Sequence, residues 1–166
     1  MQKKIRLLFV CLGNICRSPA AEGIMQALVQ SEGLESWITC DSAGTNGYHN
    51  GQLADARMRK HASLRGYNLQ SISRKFEEFL DFDEADYILV MDENNHTTLC
   101  DWVAHPEQKT KIRYMTDFCE KFSVNEVPDP YYGGAAGFEE VLDILEDATH
   151  GLLKYLKTEH PEIKAK

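Results

Sequence analysis

Apolar and polar positions along this chain alternate between two patterns, short continuous apolar runs and longer stretches with helical spacing. Residues 5–10 (Ile-Arg-Leu-Leu-Phe-Val) form the first run and read as a strand. A loop over 11–18 follows, after which Pro19 suits a first helical turn. Ala21, Ile24, Met25 and Leu28 then make an apolar stripe that Gly33 can stop. Residues 37–43 predict a second strand, ended by the breakers Gly44, Thr45, Asn46 and Gly47. The loop over 45–52 carries Tyr48, His49 and Asn50, and residues 53–65 predict a helix closed by Gly66. Residues 86–91 are a continuous apolar run, the pattern of a strand covered on both faces. Asp92 opens a helix with Leu99, Trp102 and Val103 that stops before Pro106, and residues 111–115 predict a fourth strand. Pro128-Asp129-Pro130-Tyr131-Tyr132-Gly133-Gly134 must be a loop. Last comes the clearest amphipathic helix, with Phe138, Val141, Leu142, Leu145, Ala148, Leu152, Tyr155 and Leu156 on one face. Its acids lie early and its lysines late, as the helix dipole favours.

Strands that alternate with helices predict an α/β fold with a parallel sheet. No repeat, linker or low-complexity segment interrupts it, so residues 1–160 are expected to form a single domain and residues 161–166 a frayed tail. In such sheets ligands bind beyond the carboxyl ends of the strands, where the winding reverses. The loop after the first strand belongs there.

Composition narrows the function. A net charge of -8 argues against a nucleic-acid or anionic-membrane partner, either of which calls for a basic face. The five cysteines, at 11, 16, 40, 100 and 119, are odd in number and lack any C-x-x-C pair, which fits free thiols in a reducing cytoplasm. The first twenty residues superficially resemble a signal peptide, but Arg6 interrupts the apolar segment and Asn14 and Arg17 sit where it should end. No run reaches transmembrane length. Six scattered histidines show no ligand spacing, so neither a metal nor a cofactor is expected.

The chemistry concentrates in Val10-Cys11-Leu12-Gly13-Asn14-Ile15-Cys16-Arg17-Ser18-Pro19. Cys-x5-Arg alone is weak: five cysteines and seven arginines in 166 residues give it by chance in about one chain in five. Requiring Ser or Thr next lowers that to about one in fifty, and the strand-loop-helix setting makes the motif strong. Backbone N–H groups curling around one point, a helix N-terminus and Arg17 together form an anion cradle with a sulfur at its floor. The same groups favour a thiolate, the nucleophilic form. Arg17 offers a planar fork that takes two phosphate oxygens at once. Ser18 is placed to donate to the sulfur, Gly13 permits close approach, and Asn14 tolerates positive φ. A thiolate attacking phosphorus also needs an acid for the leaving oxygen, and Asp129, stiffened between two prolines, is the candidate.

Taken together, these residues resemble the low-molecular-weight protein tyrosine phosphatase family over essentially the whole chain. Val10 to Pro19 is similar to the family's V-C-x-G-N-x-C-R-S-P loop, and Asp129-Pro130-Tyr131-Tyr132 to its D-P-Y-Y loop. Asp41-Ser42-Ala43-Gly44-Thr45 and Met91-Asp92-Glu93-Asn94 resemble further signatures. The resemblance implies a three-layer sandwich whose four parallel strands run in the flavodoxin-like order 2-1-3-4. It implies phosphotyrosine hydrolysis with Cys11 as nucleophile, Arg17 as phosphate binder and Asp129 as general acid. Leu12, Gly13, Asn14, Ile15, Cys16 and Ser18 would complete the phosphate loop, and Leu12, Tyr48, Tyr131 and Tyr132 would wall a slot too deep for phosphoserine. Cys16 is expected to form a reversible disulfide with Cys11 under peroxide. The implied partner is a phosphotyrosine-containing protein, and the chain itself is expected as a monomer or weak dimer. One departure stands out: residues 49–57 (His-Asn-Gly-Gln-Leu-Ala-Asp-Ala-Arg) replace a more proline-rich stretch, which bears on partner choice.

Two other readings compete. A thiol-dependent arsenate reductase on this fold needs further cysteines, and residues 76–92 contain none. A phosphotyrosine-binding adaptor would lack a catalytic group, and none is missing here.

Overall fold

The structure is a computed structural model, and it describes residues 3–165. Four strands, β1 (Ile5–Cys11), β2 (Ile38–Gly44), β3 (Tyr87–Val90) and β4 (Ile112–Tyr114), form one parallel sheet in the order β2-β1-β3-β4. The expected order 2-1-3-4 is the one found. Six helices cover it: α1 (Arg17–Ser31), α2 (Ala56–Leu64), α3 (Glu78–Glu84), α4 (Glu93–Trp102), α5 (Pro106–Lys109) and α6 (Ala135–Glu159). None of them is long and apolar enough to cross a membrane.

The alternation within β1 sorts the core into two layers. Ile5, Leu7 and Phe9 face one side, with Ile24 and Met25 of α1, Met58 of α2 and Phe138 to Leu156 of α6. Leu8 and Val10 face the other, with Phe82 of α3, Leu99 of α4 and Ile88 and Val90 of β3. Apart from the exposed Arg6, both sides of β1 are buried, so its side chains alternate between two interiors rather than between core and water. A near-continuous apolar run follows from that.

Most predicted elements stand within a few residues of their expected bounds. The helix predicted from residue 53 starts at Ala56, because Asp55 caps it by accepting from the Arg57 and Met58 amides. Three short pieces escaped the periodicity: α3, α5 and the 3-10 turn Met115–Phe118. Each spans seven residues or fewer, too short for a helical stripe to repeat. The tail after α6, expected to fray, is held at two points. Ile163 is buried in the core, and the Trp37 indole donates to the Lys164 carbonyl at 2.8 Å. α6 also leans close to the 3-10 turn at Gly151, where a Cβ would stand 1.7 Å from the Phe118 carbonyl oxygen.

Candidate active site

The site lies at the carboxyl end of β1, as the winding requires. The backbone over 11–16 turns its carbonyls outward: Cys11 O accepts from Thr45 N (2.9 Å), Leu12 O from Asn46 N (3.0 Å) and Ile15 O from Asp55 N (2.8 Å). Gly13 O accepts from the Ser73 hydroxyl at 3.2 Å, and Cys16 O from Ala20 N at 3.2 Å. In a trans peptide the N–H points opposite to the preceding C=O. The amides of Leu12, Gly13, Asn14, Cys16 and Arg17 are thereby aimed inward, at the volume above the sulfur.

Asn14 locks this loop from behind. It has φ 57°, a left-handed conformation that asparagine tolerates better than most residues. Its Nδ2 donates to Ser18 Oγ (2.8 Å) and to Ser42 Oγ (3.0 Å), while Oδ1 accepts from Arg74 N at 3.0 Å. With both serine oxygens accepting from Asn14, each serine proton is directed away from it. Ser18 Oγ stands 3.0 Å from Cys11 Sγ, and Ser42 donates to the buried Glu22 carboxyl at 2.5 Å. Burial raises the Glu22 carboxyl above its ordinary range, against the opposing effect of the Ser42 bond.

Arg17 is 3 % exposed. One Nη donates to Asp92 Oδ2 at 2.7 Å and to Val127 O at 3.0 Å, and the other lies 3.8 Å from Asp129 Oδ2. Burial works against its charge, but Cys11 and Asp92 outweigh that and bind the proton more firmly than in a free arginine. Asp92 sits at the end of β3, where it also caps α4 by accepting from Asn95 N. A single carboxylate thus fixes the guanidinium plane and starts a helix. Cys16, beside Cys11, is held as a thiol: burial, then Asp55 and Cys11, push its titration well above the cysteine range.

A cavity of about 250 Å³ opens above these groups. Of the residues expected there, Cys11, Leu12, Gly13, Ile15, Cys16, Arg17, Tyr48, Asp129, Tyr131 and Tyr132 line it. Asn14 and Ser18 stand behind the wall and act on it through hydrogen bonds. Asn46 and His49 also line the cavity and were not singled out from the sequence. Nor were the supporting roles of Asp92, Ser42 and Glu22. Asp92 carried a usable signal, a cap residue directly after the strand that neighbours β1. A larger groove, about 820 Å³, lies at the opposite end of β1 between Lys3, Arg6, Asp83 and Glu84. Its Arg74 is already paired with Asp41 and Asp81.

A cysteine at a strand end, cradled by inward amides and a buried arginine on a parallel α/β sheet, defines the class of cysteine-dependent phosphatases. The family model described as low molecular weight phosphotyrosine protein phosphatase matches residues 6–162, and the chain belongs to that family. A Synechocystis sp. relative whose name carries the same family is 50% identical over 93% of this chain and 98% of its own length. A crystal structure of a protein tyrosine phosphatase from Entamoeba histolytica, with Hepes in its active site, superposes with a TM-score of 0.89. It is 50% identical, covering 96% of this chain and 99% of that one. YfkJ of Bacillus subtilis matches at 36% identity and a TM-score of 0.88, covering 95% of this chain and 98% of that one. The protein is accordingly an enzyme of the phosphoric monoester hydrolase class.

Proposed function

We propose that this protein hydrolyses phosphotyrosine in protein substrates, and small aryl phosphates, through a cysteinyl-phosphate intermediate. The Cys11 thiolate attacks phosphorus as the bond to the phenolic oxygen breaks, and Asp129 gives that oxygen its proton. The inward amides and the free edge of Arg17 hold the three phosphoryl oxygens through the transition state. Water then attacks the phosphocysteine, losing its proton to the Asp129 carboxylate, and the S–P bond breaks to release inorganic phosphate and the thiolate. Ser18 Oγ, 3.0 Å from the sulfur, can donate to the thiolate and so make it a better leaving group in this second step.

The observation that carries this reading is the convergence of Cys11, Arg17 and Asp129 on one cavity although Asp129 is more than a hundred residues away in sequence. Leu12, Tyr48, Tyr131 and Tyr132 line the cavity; on this reading they flank the phenol ring, and a shorter phosphoserine stops above the sulfur. The reading includes one phosphatase domain over residues 1–160, action in the cytoplasm without metal or cofactor, a monomer or weak dimer, and a Cys11–Cys16 disulfide as a redox brake. An arsenate reductase relay is disfavoured because Cys16 is the other sulfur on the cavity, with Cys40, Cys100 and Cys119 elsewhere.

The test is one assay on phosphotyrosine peptide, phosphoserine peptide and arsenate with thiol, each with and without chelator. Turnover of phosphotyrosine alone, indifferent to chelator, is expected. Arsenate reduction, or loss of activity with chelator, would sink the reading.

A further inference from the structure

Residues 128–133, which carry Asp129, pack on the core through Pro130 and Tyr131 but make few hydrogen bonds to the rest of the protein. Two of their hydrogen bonds stay within the loop: Tyr131 N donates to Asp129 Oδ1 at 3.0 Å, and Gly133 N to Pro130 O at 3.0 Å. Among the described residues, a single hydrogen bond joins this segment to another element. Arg57 Nη2, on α2, donates to Tyr131 O at 2.9 Å. The Arg17–Asp129 ion pair, at 3.8 Å, is longer.

Arg57 is itself fixed at its other end. Its Nε and Nη2 meet the two oxygens of Asp55 at 3.1 and 2.9 Å. Asp55 in turn donates its backbone N–H to Ile15 O, within the phosphate loop, at 2.8 Å. The flat guanidinium also lies against two rings, 5.4 Å from the Tyr131 centroid and 4.9 Å from that of Phe138. A continuous path of directional contacts therefore runs from the Ile15 peptide through Asp55 and Arg57 to the Tyr131 peptide. Tyr131 is held on both sides of its Cα: its carbonyl accepts from Arg57, and its N–H, in the preceding peptide, donates to the carboxyl of Asp129.

We propose that Arg57 is a positioning residue for proton transfer, holding the Tyr131 carbonyl at a set distance from Ile15 and so fixing where the Asp129 carboxyl stands over Cys11. The proposal rests on the assignment of Asp129 as general acid. A lysine at this position would keep the charge, but its ammonium lacks the planar fork that spans a carboxylate and a carbonyl in one fixed orientation. The side chain is 47% exposed, and Asp55 caps α2 through backbone amides that do not involve the guanidinium. Removing the guanidinium therefore leaves the fold and the thiolate intact and loosens the acid.

The experiment measures kcat/KM on phenyl phosphate, a poor leaving group, and on p-nitrophenyl phosphate, a good one, with thermal melting as the control. Four variants are compared: Arg57→Met, Arg57→Lys, Asp129→Ala and the Arg57→Met/Asp129→Ala double. Asp129→Ala is expected to lose about a hundredfold on phenyl phosphate and far less on p-nitrophenyl phosphate, the signature of a lost acid. Arg57→Met should lose about tenfold on phenyl phosphate and about twofold or less on p-nitrophenyl phosphate, at an unchanged melting temperature. Arg57→Lys should show the same selectivity in smaller degree. In the double variant Arg57→Met should cost nothing further, since the group it positions is gone. Equal losses on both substrates in Arg57→Met, a rise in KM alone, or additive losses in the double would overturn the role of Arg57. Equal losses in Asp129→Ala itself would instead strike the acid assignment, and the proposal with it.

Discussion

The two loops that meet at the cavity are built on opposite principles. The phosphate loop, residues 11–18, has five of its carbonyls bonded to surrounding structure, and Asn14, Arg17 and Ser18 are all but inaccessible to water. The acid loop carries an Asp129 side chain that is 40% exposed and a Tyr132 that is 93% exposed, with one hydrogen bond to another element among the described residues. On the proposed roles, the difference follows from what each must do. A cradle for an anion works by having its dipoles oriented before the ligand arrives, so any freedom there is a cost at the moment of reaction. A general acid has to leave room for the aryl group, and its loop is tied at one point, Arg57, rather than along its length. Rigidity is concentrated at the sulfur and withheld a few ångströms above it.

The sharpest way to separate the two loops is to remove the sulfur. Cys11→Ser should abolish turnover of p-nitrophenyl phosphate while circular dichroism and melting stay near wild type; substantial residual activity would refute the nucleophile. Asn14→Ala comes next. It strips three hydrogen bonds, two of them from the buried Ser18 and Ser42, and leaves a non-glycine residue at positive φ, so a loss of roughly 2–4 kcal/mol in stability is expected. A fall in kcat/KM of about a hundredfold, on good and poor leaving groups alike, should accompany it. That evenness is the contrast with Asp129→Ala, and a selective loss would show that the cradle and the acid are not separable.

A third test acts on the stem of the acid loop. Asp147, buried on α6, accepts from the amides of Glu120, Lys121 and Phe122 at 2.9 to 3.1 Å. Burial alone would raise its carboxyl, and these amides outweigh it and hold it below the ordinary range. Because the native value is depressed, the unfolded chain binds the proton first as pH falls. Its contribution is therefore full above about pH 4 and fades as pH drops through the native value. Asp147→Asn should cost roughly 1–3 kcal/mol at pH 7 and flatten the acid limb of stability against pH. An unchanged acid limb would show that the stem is held by other means.

Smaller effects belong to the exposed side. Peroxide should link Cys11 to Cys16, seen by peptide mass and reversed by thiol. Cys16→Ser should keep full initial activity and lose only the recovery; a recovery as complete as wild type would remove Cys16 from the redox reading. Tyr48→Ala, at a side chain 86% exposed, should raise KM for phosphotyrosine peptides by about threefold with no change in melting temperature. A larger effect on kcat than on KM would mean that Tyr48 shapes the chemistry as well as the entrance.

The same division decides what could be read from the sequence. The fold was legible because β1 is buried on both faces except at Arg6, which writes a near-continuous apolar run, and because α6 repeats its stripe over seven turns. The cavity residues were legible because the Cys-x5-Arg loop and the Asp between prolines are local motifs. Arg57, Asp92, Ser42 and Glu22 were not, since each works through contacts 20 to 75 residues away along the chain. Ser42 and Asp92 look like an ordinary strand residue and an ordinary cap until the sheet brings their ends beside Cys11. The short helices α3 and α5 were missed for a different reason, as neither is long enough to repeat a pattern.

Gly44 presses against the phosphate loop from the end of β2: a Cβ there would lie 2.9 Å from Leu12 O and 3.1 Å from Asn14 N. For anyone grafting this loop onto another scaffold, the portable unit is accordingly not the eight residues from Cys11 to Ser18. It is the paired ends of two strands, with Ser42 and Gly44 travelling alongside, because the recipient must supply both the hydroxyl that Asn14 reaches and the bare backbone it leans on. A host sheet that offers any side chain at the equivalent of Gly44 would receive the motif and lose its shape.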